Sequence, residues 1–331
     1  MLQWDFVQPS ETANRSVDLL FVVDTSDSLK EERSRIASTI PSFVNQLSSE
    51  TDYRIGVMLA HGGDSYYSGR LYSPPGIPQV LNSRTLSTTQ IQSYLGSTLS
   101  KPVSDVDEAN GEMMTYSLLK SLGSDRISTI QNQGFFRQNA ALSVVFVSDE
   151  NDICYVPNQH GYSAFPDFVP SFENTEAAAY KNYCVGKDNE ELVTPDLVYS
   201  QLKAVKGSLP LSLGGITHMD PTQVPTGGED SIGHGVIELV KSSLNGILME
   251  LTQTDYSDGL SKLGSTVTQQ LHLLTQFGLT GKPSFFEDTV SVQVDGKSVE
   301  SEYDSNTHLV SLRASDAGQS GSHVRVTACR K

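Results

Sequence analysis

Apolar and polar positions follow two different periods along this chain, and the changes of period mark the elements. Residues 17–24, Val17-Asp18-Leu19-Leu20-Phe21-Val22-Val23-Asp24, form a nearly unbroken apolar, β-branched run. Such a run predicts a strand buried on both faces. From Ser28 to about Gln46, Ile36, Ile40, Phe43, Val44 and Leu47 fall near helical spacing, so an amphipathic helix follows. A second strand covers 53–60, and 61–84 is loop-rich, with Gly62-Gly63 and Pro74-Pro75-Gly76 and room for an edge hairpin. Helices are predicted near 87–98 and 112–122, and a strand over 141–148. A long loop then covers about 150–193. Beyond it the pattern gives a helix over 195–206, a strand over 209–217, a helix over 234–243, a strand over 246–253 and a long final helix over 257–277.

Strands alternating with helices in this way predict an α/β fold, a doubly wound, mostly parallel, Rossmann-like sheet covered on both faces. After Gly281-Lys282-Pro283 the period becomes two. Residues 289–297 alternate and carry Asp295-Gly296, a hairpin turn pair, and further short strands are expected over 308–312 and 323–327. The expected organisation is an irregular N-terminal segment over 1–16, an α/β domain over 17–281 with long loops at about 61–86 and 150–193, and a small antiparallel β extension over 282–331.

The chemistry concentrates at strand ends. The first strand stops in Asp24-x-Ser26-x-Ser28, and in open α/β sheets ligands bind outside the carboxyl ends of the strands. One carboxylate and two hydroxyls on alternate residues suit a hard divalent cation such as Mg²⁺. The spacing alone is weak evidence, because an Asp N-cap followed by a serine turn gives the same pattern. A second apolar strand that also ends in carboxylates, Asp149-Glu150-Asn151-Asp152, moves the reading toward a cation site.

Bulk properties narrow the partners. The chain has 331 residues and a formal net charge of −16, which argues against nucleic acid or an anionic membrane surface. No apolar run is long enough to span a membrane. Met1-Leu2-Gln3-Trp4 has neither a charged leader nor an apolar core, so no signal peptide is expected here. Cys154 and Cys184 bracket a segment rich in Tyr, Phe and Pro, without CxxC or Cys/His metal spacing. They read either as a disulfide, implying an oxidising compartment, or as two buried thiols. Cys329 is left over. Enzyme motifs are mostly absent: there is no GxSxG, HExxH, P-loop or GxGxxG. His218 with Asp220 is the best acid–base pair. A metal-assisted hydrolase, with Asp24, Asp149 and His218 lining one pocket, is the enzymatic alternative.

Taken together, the first motif with its strand, and Phe135-Phe136-Arg137-Gln138-Asn139-Ala140-Ala141-Leu142 running into Val147-Ser148-Asp149-Glu150-Asn151-Asp152, resemble von Willebrand factor type A (VWA) domains with a metal-ion-dependent adhesion site. More narrowly, they resemble a bacterial extracellular subgroup. The resemblance covers about 17–277 in element order. It implies direct contact of Ser26, Ser28 and a second-loop residue with the ion, and action of Asp24 and Asp149 mainly through water. Many VWA domains place Thr in the second loop. Here the matching position is Glu112, after Asn110-Gly111 and ahead of a helix with Ser117 and Leu118, with Glu108 as the other candidate. Glu112 also reads as a first-turn acid favoured by the helix dipole. A direct Glu112 would weaken the ion's pull on an acidic ligand.

The resemblance further implies adhesion without catalysis by a secreted, periplasmic or cell-surface protein. The partner would be a protein or cell-surface ligand that supplies an acidic group to Mg²⁺, with Mn²⁺ or Ca²⁺ as alternatives. The loops carrying Tyr155, His160 and Tyr162, and Tyr66 and Tyr67, would either form the partner surface or a satellite core. An assembly subunit with a vestigial metal site, docking through its β tail by edge pairing, is the remaining alternative.

Overall fold

The computed structural model describes residues 1–8, 16–47, 51–62, 65–101, 111–154, 193–207, 209–226, 230–243, 246–279, 284–305, 307–319 and 321–331. Along the chain, β1 (Leu2–Val7) and β2 (Ser16–Val23) precede α1 (Lys30–Gln46) and β3 (Asp52–Leu59). The short strands β4 (Leu71–Tyr72) and β5 (Leu81–Asn82) lead to α2 (Thr88–Ser100), α3 (Met114–Leu122) and α4 (Ser124–Asn132). Then come β6 (Ala141–Val147), α5 (Pro195–Lys206), β7 (Leu211–Thr217), α6 (His234–Lys241), β8 (Ile247–Glu250) and α7 (Ser257–His272). The chain closes with β9 (Gln276–Gly278), β10 (Ser291–Val294), β11 (Lys297–Val299), β12 (Ser301–Asp304), β13 (Leu309–Leu312) and β14 (His323–Ala328).

Strand β2 has both faces covered, which accounts for its unbroken apolar run. It lies between parallel partners, with Val23 level with Leu59 of β3 and with Val147 of β6. The sheet order is β4-β3-β2-β6-β7-β8, with β5 also on β3. The strands from β3 to β8 run parallel, and β4 and β5 pair antiparallel with β3, so the loop-rich region supplies the sheet's edge. Leu19, Phe21 and Val23 face a core with Ile36, Ile40 and Phe43 of α1, Ile91 and Leu95 of α2, and Leu260 and Leu263 of α7. Leu20 and Val22 face the opposite core, with Met114 and Leu118 of α3, Val198 and Leu202 of α5, and Val236 and Leu239 of α6. This is the mostly parallel sheet flanked by helices that the alternation predicts.

Two boundaries differ from expectation. Residues 2–7 are not irregular: β1 pairs antiparallel with β14, Leu2 opposite Ala328 and Val7 opposite His323. The two ends of the chain thus build one sheet, β1-β14-β10-β11, beside a second, β12-β13-β9, over a core of Trp4, Phe277, Val292, Val310, Leu312 and Val326. The α/β domain is inserted into this β module. The last long helix stops at His272 instead of reaching Phe277. The amide of Gln8 accepts from the Leu274 N–H (2.7 Å) and donates to the Leu274 carbonyl (2.8 Å), taking both groups the next helical turn would use. The Asp295-Gly296 hairpin forms as predicted, with φ of 49° and 79°, both in the left-handed region that a two-residue turn of this hand requires.

Candidate metal centre

From β2 the chain passes through α1 to β3 on one side, whereas the strand on its other side is β6. The loops leaving β2 and β6 therefore diverge at the sheet's carboxyl edge, a topological switch point where α/β sheets leave a crevice. Asp24 follows β2 and Asp149 follows β6.

Asp24 is fully buried. Its N–H bonds the Val147 carbonyl (2.9 Å), its Oδ1 accepts from the Ser26 N–H (2.7 Å) and its Oδ2 accepts from the Ser148 hydroxyl (2.8 Å). Burial, then the charge of Glu112, pushes its carboxyl up to about 7. Ser26 is half-buried and Ser28 exposed, and the Ser28 hydroxyl donates to that of Ser26 (3.0 Å), so both hydroxyls stand at the mouth. Behind the loop, buried Arg33 donates through Nη1 to the carbonyls of Asp24 (3.2 Å) and Ser26 (2.7 Å). Burial pulls its guanidinium below the usual value, and the charges of Asp24 and Asp149 act against this.

The second loop lies directly on the first. Thr25 N–H bonds the Gly111 carbonyl (3.3 Å), and a Cβ at Gly111 would stand only 3.1 Å from Ser26 N. Glycine there admits the close approach. Glu112 is thereby carried to the cluster, where its charge acts on Asp24 and its carboxyl hydrogen-bonds that of Glu150. Glu108 lies outside the described residues.

The third loop supplies the unbalanced charge. Asp149 is 1% exposed, and neither of its carboxyl oxygens has a hydrogen-bond partner. Burial, then repulsion by Asp24, pushes it up to about 7, and the nearby Ser28 hydroxyl draws it back only in part. Glu150 is 7% exposed with Oε1 unpartnered, and burial together with Glu112 holds it well above the usual carboxylate range. Asp152 is different. Its oxygens accept from the N–H groups of Thr115 (2.6 Å) and Cys154 (2.8 Å), so it caps the start of α3.

A buried, unpartnered carboxylate is costly unless a cation reaches it. Two hydroxyls at the mouth and carboxylates below form an all-oxygen donor set, which fits a hard divalent cation. Among the described residues, no three His, Cys, Asp or Glu side chains form a ready-made ligand set, so such an ion would depend on the serine hydroxyls as well.

Sequence reasoning missed two residues at this edge. Arg33 is a basic residue in the early turns of α1, against the helix dipole, and at helical spacing from Ile36 and Ile40; that combination was the available signal. His61 is fully buried. One ring nitrogen lies 3.0 Å from the Thr25 hydroxyl and the other 2.8 Å from the Ser65 hydroxyl. Its ring meets Tyr67 edge-on at 5.9 Å, Tyr67 meets Tyr66 at 5.4 Å, and Arg70 lies over the Tyr66 ring at 4.6 Å. Tyr66 is 71% exposed. The tyrosine loop is thus joined to the cation loop.

The proposed His218–Asp220 pair does not form. His218 lies between Glu250 (3.3 Å) and Asp230 (3.6 Å), while the Asp220 carboxylate is taken by Thr222 and Gln223. Glu250 wins because it ends the adjacent strand β8 and already accepts from the Met219 N–H (2.8 Å). Tyr155, His160, Tyr162 and Cys184 lie outside the described residues, and with them the Cys154–Cys184 pairing. Cys154 is fully buried, and Cys329 is exposed and free. No described helix is long and apolar enough to cross a membrane.

No family model matches this sequence, and no curated protein matches it. Solved structures that resemble it include a von Willebrand factor type A protein from Catenulispora acidiphila, at 10% identity over 99% of this chain and 65% of that one, with a TM-score of 0.44. The pilus adhesin SpaC from Lactobacillus rhamnosus GG matches at 10% identity over 98% of this chain and 40% of that one (TM-score 0.41). The adhesive tip pilin GBS104 from Group B Streptococcus agalactiae matches at 10% over 99% and 81% (TM-score 0.35). This chain spans less than two thirds of the length of the first two. None of these likenesses is close enough to carry a functional argument.

Proposed function

We propose that this chain is a non-enzymatic adhesion or ligand-binding domain of the VWA type, working outside the cytoplasm through a divalent cation held at the carboxyl edge of the sheet. The observation that carries the reading is Asp149: a buried carboxylate with both oxygens unpartnered, beside buried Asp24 and beneath the hydroxyls of Ser26 and Ser28. The ion would be Mg²⁺, Mn²⁺ or Ca²⁺, held by Ser26, Ser28 and Glu112, with Asp24 and Asp149 orienting the set. When bound it supplies a Lewis-acidic position for an oxygen of the partner. The exposed Tyr66, fixed to the same edge through Tyr67 and His61, gives the partner an aromatic contact of the kind enriched at interfaces. A Cys154–Cys184 disulfide belongs to the same extracellular reading.

Beads coated with the chain, applied to immobilised extracellular-matrix proteins and to intact bacterial cells, test this. The reading expects adhesion that chelator abolishes, added Mg²⁺, Mn²⁺ or Ca²⁺ restores, and Ser26→Ala/Ser28→Ala lacks. Attachment indifferent to chelator would favour an assembly subunit instead. Turnover of generic esters or phosphoesters that dies with Asp24→Ala would favour the hydrolase.

A further inference from the structure

The carboxylates at this edge divide into those the fold satisfies and those it does not. Asp152 has both oxygens on backbone N–H groups, and Asp24 has both oxygens bonded. Asp149 and Glu150 are the exceptions. Glu150 is more than nine-tenths buried, its Oε1 is unpartnered, and its carboxyl meets that of Glu112 beside Asp149 and Asp24. No ion pair is formed by Asp24, Asp149 or Glu150 among the described residues. Two acidic groups in contact under near-complete burial need a proton or a metal ion between them. Resting on the proposed cation site, we propose that Glu150 is a further ligand of the ion, joining Glu112 across it, and that the site therefore selects calcium over magnesium.

The argument is one of donor number and charge. Ca²⁺ takes six to eight oxygens in flexible geometry, and its affinity rises with the count of carboxylate ligands. Mg²⁺ demands a small octahedron, keeps several waters, and is held by one or two carboxylates. Ser26 and Ser28 with Glu112 alone would suit Mg²⁺. Adding Glu150, with Asp149 beneath, shifts the set toward the larger ion. Glu150 follows Asp149 directly, and its N–H bonds the Ser148 hydroxyl (3.1 Å), the same hydroxyl that fixes Asp24. It is anchored where the first and third loops meet.

Calorimetric titration of CaCl₂ and of MgCl₂ into the chelator-stripped full chain, wild type and Glu150→Gln, decides the matter. The proposal expects wild type to bind Ca²⁺ about tenfold or more tightly than Mg²⁺. Glu150→Gln should weaken Ca²⁺ by about tenfold or more while moving Mg²⁺ by less than about threefold. Mg²⁺ binding as tightly as Ca²⁺, or Ca²⁺ binding that Glu150→Gln leaves unchanged, overturns the proposal and leaves the cation site itself standing. No binding of either ion to wild type overturns both. The melting temperature of cation-free Glu150→Gln should equal or exceed that of wild type, showing that any lost affinity is not lost fold.

Discussion

Strand β2 carries a buried carboxylate near each end, and the two ends are treated in opposite ways. Near the amino end, fully buried Asp18 accepts from the Arg137 side chain at Oδ1 (2.8 Å) and from the Arg137 N–H at Oδ2 (2.7 Å), with Lys206 3.9 Å away. Arg137 also bridges to Asp52 (2.9 Å) and to the carbonyls of Val17 and Asp52, and Lys206 donates to the carbonyls of Arg137 and Ala140. Burial raises the Asp18 carboxyl, Arg137 and Lys206 act against that, and burial pulls Lys206 down to about 8. Just past the carboxyl end, Asp24, Asp149 and Glu150 gather with Glu112, and the nearest fixed cation, Arg33, is spent on two backbone carbonyls. The chain neutralises one end with its own side chains and leaves the other for an ion from solution. The first end is therefore architecture and the second is a site.

The sharpest way to break this contrast is at the self-neutralised end. Arg137→Met should cost about 3–5 kcal/mol in urea unfolding, because it strands Asp18 as an uncompensated buried charge. Its effect should be the same with chelator or with cation. Conversely, saturating the other end from solution should stabilise wild type by about 2.7 kcal/mol at a hundred times the dissociation constant, and Ser26→Ala/Ser28→Ala not at all. Asp149→Asn should raise the stability of the chelator-stripped chain by on the order of 1–3 kcal/mol, since an unpartnered buried charge is removed, and should abolish stabilisation by cation.

The pH dependence follows from the same two carboxyls. Asp24 and Asp149 have folded-state values of about 7 against 3.8, so between those limits the folded chain binds more protons than the unfolded one. Their contribution to stability is fully present below about 4 and is lost as pH rises through 7. Melting curves of the stripped chain should therefore show wild type gaining on Asp24→Asn/Asp149→Asn as pH falls from 8 to 5. Bound cation, which favours the charged forms, should remove that gain. The smallest effect belongs to Tyr66→Ala: stability within about 0.5 kcal/mol of wild type, with adhesion reduced.

Much of this was legible in the sequence because it is local. Val17 to Val23 reads as a doubly covered strand, and Asp24-x-Ser26-x-Ser28 at its end marks the site; Asp149 repeats the logic at the next strand. Glu112 was reachable only by matching the helix after it, and Gly111 shows why that register works. What was not legible depends on distant partners. β1 pairs with a strand more than 300 residues away, and nothing near Leu2–Val7 announces it. The end of α7 is set by Gln8, and the pairing of His218 by the neighbouring strand rather than by its neighbour in sequence. Asp18 sat in plain view inside an apolar run, but only the return of Arg137 and Lys206 gives its charge a purpose.

The central claim is that the carboxyl edge of β2 is completed by a cation. Its most direct test is calorimetric titration of Mg²⁺ and Ca²⁺ into chelator-stripped protein beside Ser26→Ala/Ser28→Ala. Saturable one-site binding in wild type that the double variant loses is the predicted result. Absence of binding in wild type, or binding that survives loss of both hydroxyls, would contradict it.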